Sequence, residues 1–231
     1  MPAMTAQTAS AILGVSPREV RRLAAEGRLQ GARHLGRTLV LDSDAVHRLA
    51  REPRRRGRPW SERVAWAALS LLSGGGAAWL SSAELSRLKG RLRKTAVDDL
   101  QYLATRRARV LLFRARPTVV SDLAGYLVPT GASALSVTQL RELGLTAADH
   151  NLDGYVPAGE LAELQAKFGL IEDASGNVTL RAVTVEDAFS GGVAPRAAIM
   201  LDLASSLDTR ESAAGRRETT VLIANMVNRG G

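Results

Sequence analysis

Arg18, Arg21 and Arg22 crowd into the short run Ser16-Pro17-Arg18-Glu19-Val20-Arg21-Arg22-Leu23, and Arg33, His34, Gly36 and Arg37 form a second cluster a dozen residues on. A guanidinium group presents a planar fork of donors that suits phosphate oxygens and guanine edges. A third cluster, Arg56-Gly57-Arg58-Pro59, carries the same chemistry in extended form. The chain holds 31 Lys and Arg against 23 Asp and Glu, a net charge of +8, and nearly all the cations are Arg. Charge alone also follows from Arg-rich coding, so the positions of the arginines must decide what they do.

Those positions depend on the elements that carry them. Ser16 is an N-cap, Pro17 suits the first helical position and Glu19 completes the start of a helix. At about 100° per residue, Val20, Leu23 and Ala24 share one face of this helix and Arg18, Arg21 and Arg22 the other. Gly27 ends it. An earlier helix runs from an N-cap at Thr5 to Leu13, with Ala9, Ile12 and Leu13 on one face, and Gly14-Val15 breaks it. After Gly27, Leu29 to Ala32 and Thr38 to Leu41 are expected to pair as a hairpin with Arg33, His34, Gly36 and Arg37 at its tip. Asp42 or Ser43 then starts a third short helix with Val46 and Leu49 facing inward. Two helices joined by a tight turn, with a basic face on the second and a basic hairpin behind it, fit double-stranded DNA.

The run from Thr5 to Ala50 resembles the MerR/excisionase type of winged helix-turn-helix, chiefly in Ala9, Leu13-Gly14-Val15-Ser16, Val20-Arg21-Arg22-Leu23 and Glu26-Gly27-Arg28-Leu29. The resemblance implies that the second helix enters the major groove, where Ser16, Arg18, Arg21 and Arg22 meet the DNA. It also implies that the wing carries Arg33, His34 and Arg37 along the backbone or minor groove. Arg56 and Arg58 flank Gly57 as in an AT-hook, which lies in the narrow minor groove of A·T tracts; a solvated basic linker explains the same four residues.

A metal pattern lies further on. Asp149, Asn151, Asp153, the Tyr155 carbonyl and Glu160 stand at the ligand positions of an EF-hand calcium loop, with Gly154 at its sharp turn. No second loop pairs with it, Gly144 and Thr146 interrupt the incoming helix, and Pro157 sits among the ligands. The competing reading is an Asx-rich turn before a helix, and no metal or cofactor is assigned. Without cysteine, and with His34, His47 and His150 scattered, a zinc site is not expected.

The fold class expected is mainly α with small β hairpins, an α+β chain. Residues 1–52 form the winged helix-turn-helix, 53–60 a basic linker, 61–131 a helical middle domain and 132–231 an α+β domain that binds a partner or dimerises. Ser61 to Ser73 is apolar nearly all round and so reads as a buried helix. Ser81 with Glu84, and Thr95 with Asp98, mark two further helix starts. Val110 to Phe113 reads as a strand and Thr118 to Tyr126 as a helix. Glu160 to Phe168 is helical, and Leu170-Ile171 and Val178 to Leu180 flank a turn as a hairpin, either a winged-helix outline or another small α+β element. Pro195 to Leu207 is helical, with Ile199, Leu203 and Leu207 at fourfold spacing.

No apolar stretch is long enough to span a bilayer and the N-terminus shows no charged-then-apolar leader, so a cytoplasmic, nucleoid-associated protein is expected. Taken whole, the chain resembles actinobacterial regulators similar to antitoxins encoded beside nucleotidyltransferase toxins of the abortive-infection class. That implies a transcriptional autorepressor of a toxin-antitoxin operon, with double-stranded DNA, a cognate toxin and a second copy as partners. An excisionase-like factor that bends DNA for an integrase is the alternative. No phosphate loop or catalytic triad is present in the sequence, so an enzyme is not expected.

Overall fold

A computed structural model describes residues 3–13, 15–29, 31–36, 38–51, 58–146, 151–185, 189 and 192–228, without the side chains of Arg48 and Arg51. Arg37, Arg56 and Asp149 therefore lie outside the described residues. The architecture is mixed α and β in two units, Met1–Arg55 and Arg56–Gly231.

In the first unit, β1 (Ala3–Thr5) leads directly into α1 (Ala6–Leu13), and α2 (Pro17–Ala25) follows. Then come β2 (Arg33–Leu35), β3 (Thr38–Asp42) and α3 (Ser43–Arg51). The sheet runs β1-β3-β2 and is antiparallel, so the expected hairpin gains a third strand. Its first strand also starts later than expected. Gly31 takes φ 76°, which ends the extended run before Ala32, and Leu29 is buried in the core. Arg33 and His34 consequently stand on β2 instead of at the tip. Thr5 caps α1 as expected, its Oγ1 accepting from the Thr8 N–H at 3.2 Å. Ala6, Ala9 and Leu13 face the core with Val20, Leu23, Leu39, Leu41 and Val46, and Leu49 packs against them. Ile12, expected inside, is 36% exposed, because it points about 100° away from Leu13 on the helix.

In the second unit, α4 (Glu62–Leu72), α5 (Ser82–Leu92) and α6 (Val97–Leu103) precede β4 (Arg109–Arg114), α7 (Pro117–Ala124) and β5 (Val128–Pro129). Next are α8 (Val137–Glu142), β6 (Leu152–Pro157), α9 (Leu161–Phe168), β7 (Ile171–Glu172) and β8 (Val178–Val183). The helices α10 (Arg196–Leu203) and α11 (Thr209–Asn228) follow. One five-stranded sheet orders these strands β5-β6-β8-β4-β7, with β6 parallel to β8 and the other pairs antiparallel.

That order corrects the division expected at residue 131, because β4 and β5 come from before it and β6 to β8 from after it. It also removes the hairpin expected around Asp173 to Asn177: β7 and β8 are not partners, since β4 lies between them. Strand β6 divides its residues by parity. Leu152 and Val156 join Phe113, Leu123, Leu164 and Leu180 in one core, and Tyr155 joins Trp66, Leu69, Ala198 and Leu201 in another. Gly154 is there for closeness, since a Cβ on it would stand 2.7 Å from Leu127 Cβ.

Three smaller expectations change. Thr95 is buried and donates to the Arg91 carbonyl at 2.9 Å, so the N-cap of α6 is Ala96. Leu207 lies between α10 and α11 and is 97% exposed. Trp60 belongs to the second unit, not to a linker; it is buried and its backbone N–H donates to the Leu103 carbonyl at 2.8 Å. The buried helix α4 and the capping box of Ser81 and Glu84 are as expected.

Candidate nucleic-acid interface

Helix α2 starts as its sequence predicts. Ser16 Oγ accepts from the Glu19 N–H at 3.2 Å and Pro17 occupies the first turn. Gly27 follows with φ 74°, a left-handed residue that ends the helix cleanly. Val20 and Leu23 are buried, which holds the opposite face outward, and Arg18, Arg21 and Arg22 are all exposed on it. Ser16 is exposed as well, but one lone pair of its hydroxyl is committed to the cap.

The three arginines are not equivalent. Arg22 donates through Nε to Glu19 at 2.9 Å, through a second nitrogen to Glu19 at 2.5 Å, and to Glu26 at 2.5 Å. The bond from Arg22 holds the Glu19 carboxyl below its usual range, and the same contact raises the guanidinium further above its own. Arg18 and Arg21 have no acidic partner among the described residues, so their forks are free for phosphates or base edges. The signal for this difference was in the spacing: Glu19 and Glu26 stand three before and four after Arg22.

On the wing, Arg33 pairs in register with Val40 and His34 with Leu39, and both are exposed. Gly36, φ 60°, makes the turn to β3. Leu35 beside it is 61% exposed, an apolar side chain at the wing that a reading of the charged residues alone leaves out. Arg58 is exposed ahead of Trp60.

A family model described as a helix-turn-helix domain matches residues 3–54. These residues are a helix-turn-helix DNA-binding segment. The match supports a DNA-binding regulatory role and covers all six elements of the first unit. Neither a curated protein nor a solved structure matches the chain. Among the described residues, no helix is long and apolar enough to cross a membrane.

The residues of the calcium pattern are placed otherwise. Leu152 to Pro157 is a sheet strand, not a loop wrapped about an ion. Asp153 accepts from Arg181 at 2.7 Å through both of its oxygens, and the Tyr155 ring is buried. Asn151 and Glu160 are exposed at either end of the stretch. Among the described residues, no three His, Asp or Glu gather where a metal could sit.

What Asp153 and Tyr155 join is a largely buried ionic network centred on Asp202, whose carboxylate is inaccessible. Asp202 accepts from Arg107, from Arg181 at 3.0 Å, from Thr130 at 2.7 Å and from the Tyr155 hydroxyl. Burial pushes the Asp202 carboxyl up, but Arg107 and Arg181 outweigh it and hold the group below the usual carboxylate range. Burial lifts Asp153 above its usual value against the pull of Arg181, and lifts the Tyr155 phenol as well. Two arginines and two aspartates balance, so the network is neutral as a whole. It ties α10 to β6, β8 and the 3-10 turn Thr105–Arg107.

Proposed function

We propose that the chain is a sequence-specific transcriptional regulator that serves as the antitoxin and autorepressor of a toxin-antitoxin operon. It inserts α2 into the major groove, lays the wing along the backbone and uses the second unit to hold a protein partner. The observation that carries the DNA half is the pair Arg18 and Arg21, exposed without acidic partners among the described residues on a helix whose other face is buried. Ser16, Arg33, His34, Arg37 and the linker residues Arg56 and Arg58 complete the contact in this reading. The partner half is supported by the second unit, a folded body with its own cores, separate from the helix-turn-helix segment. We read that unit as non-catalytic, because Asp202 at the centre of its buried ion network is inaccessible and both of its oxygens are taken by donors.

Two measurements test the two halves. Footprinting over the DNA upstream of the coding sequence should show a discrete protected site that is lost in Arg18→Ala/Arg21→Ala; uniform protection would remove the regulator. Co-purification with the product of the adjacent gene, and rescue of growth when that gene is expressed, should follow from the antitoxin role. Neither outcome would leave a regulator of another kind. A sharply bent site required by an integrase would assign the excisionase-like role instead.

A further inference from the structure

Six arginines of the second unit are matched to carboxylates: Arg63 to Glu84, Arg107 to Asp202, Arg114 to Asp173, Arg181 to Asp153, Arg196 to Glu218 and Arg216 to Asp98. Helix α5 and the turn after it carry a dense run of cations. Leu88 and Leu92 are buried and Leu85 packs beside them, which turns Arg87, Lys89, Arg91 and Lys94 outward. All four are exposed, and none has an acidic partner among the described residues. Residues 82–94 hold five Lys and Arg against one Glu, whereas the rest of 56–231 holds sixteen against seventeen Asp and Glu. The net positive charge of this unit is therefore concentrated on one helix. A helix C-terminus favours a cation or two in its last turn, which does not account for so many.

We propose that this face of α5, formed by Arg87, Arg91 and Lys94 around Gly90, is a second DNA-binding surface that grips backbone phosphates independently of sequence. It rests on the reading that residues 3–54 bind DNA. The chemistry is charge complementarity: unpaired cations along one helix face neutralise phosphates and release counterions. The path of the chain agrees with it. Arg91 lies over the Trp60 ring at 5.4 Å, and Trp60 follows directly on Arg58 and Pro59, so the end of the basic linker is anchored against α5. Gly90 leaves the middle of the face open, with nothing within 4 Å of where a Cβ would stand.

The test uses the full chain and two duplexes, the DNA upstream of its coding sequence and a duplex of arbitrary sequence, over a range of salt. Arg87→Gln/Lys94→Gln should weaken binding to both duplexes alike and flatten the plot of log K against log salt by about 2. Gly90→Glu keeps the fold in view: it replaces a poor helix former and should raise the melting temperature, yet weaken DNA binding, while Gly90→Ala raises the melting temperature and leaves binding unchanged. Unchanged affinity and slope in both charge variants, with binding lost in Arg18→Ala/Arg21→Ala, would overturn the α5 surface and keep the head. Binding that survives loss of the head arginines but not of the α5 cations would overturn the head and keep α5. Charge variants that bind DNA normally but lose an acidic polypeptide such as polyglutamate would give the face to a protein and sink the proposal.

Discussion

Arg22 and Glu26 are joined at 2.5 Å across one turn of α2, with Glu19 closing on the same guanidinium, while Arg21 beside them is free of any carboxylate among the described residues. Two neighbours on one basic face thus start from different states. DNA meets Arg21 ready to bond, whereas Arg22 must first surrender three hydrogen bonds.

The first prediction follows. Arg21→Ala should weaken operator binding by about 1–3 kcal/mol, as for a side chain that reads a base, with Arg18→Ala comparable or smaller. Arg22→Ala should cost less than Arg21→Ala. Glu19→Gln, which loosens Arg22 and removes a negative charge from the DNA-facing helix, should tighten binding. Titrations of labelled duplex at fixed salt compare the four; an Arg22→Ala loss larger than that of Arg21→Ala would show that the pairing with Glu19 and Glu26 presents Arg22 to the DNA.

Asp202→Asn should destabilise the second unit by about 3–5 kcal/mol, because it leaves Arg107 and Arg181 buried without their shared counter-charge. Trp60, Trp66 and Trp79 are the protein's three tryptophans and all lie in that unit, so urea unfolding followed by tryptophan fluorescence reads it alone. A change below about 1 kcal/mol would mean that the network is not a structural lock.

Calcium at millimolar concentration should leave the melting temperature unchanged, since Asp153 is taken by Arg181 and Leu152 to Pro157 is held extended as a sheet strand. Gly154→Ala should instead destabilise by about 1–3 kcal/mol, from the clash of its Cβ with Leu127. A calcium-dependent rise in melting temperature that disappears in Glu160→Ala would restore the calcium loop.

Asp173 is held down to about 2, first by the Ser175 backbone N–H and then by Arg114. A carboxylate depressed in the folded state favours folding above its ordinary value of 3.8, and that contribution fades as pH falls through about 2. The stability difference between the protein and Asp173→Ala should therefore be constant above pH 5 and shrink between about pH 4 and 2. A carboxyl-carbon titration by NMR with its midpoint near 4 would contradict the hydrogen-bonded turn.

Several features of this protein are local and so were visible in its residues. Ser16, Pro17 and Glu19 start α2 by bonds that reach three positions, and Ser81 with Glu84 starts α5 in the same way. The alternation of Val20 and Leu23 with Arg18 and Arg21 sets which side of α2 faces out, because a helix has one period and one buried face. Even the tie of Arg22 to Glu19 and Glu26 was there to be read. The long-range pairings were not. A strand's residues state that it will pair, but nothing in Val178 to Val183 says that β6 and β4 will flank it, or that β4 will separate it from β7. Asp153 shows the consequence most sharply. Spacing made it a calcium ligand, but residues nearly 30 and 50 positions away, Arg181 and Asp202, place it in an ion network. Hydrogen bonds within one turn follow from the order of the chain, whereas the partners of a buried charge are chosen only when the sheet and helices close around it.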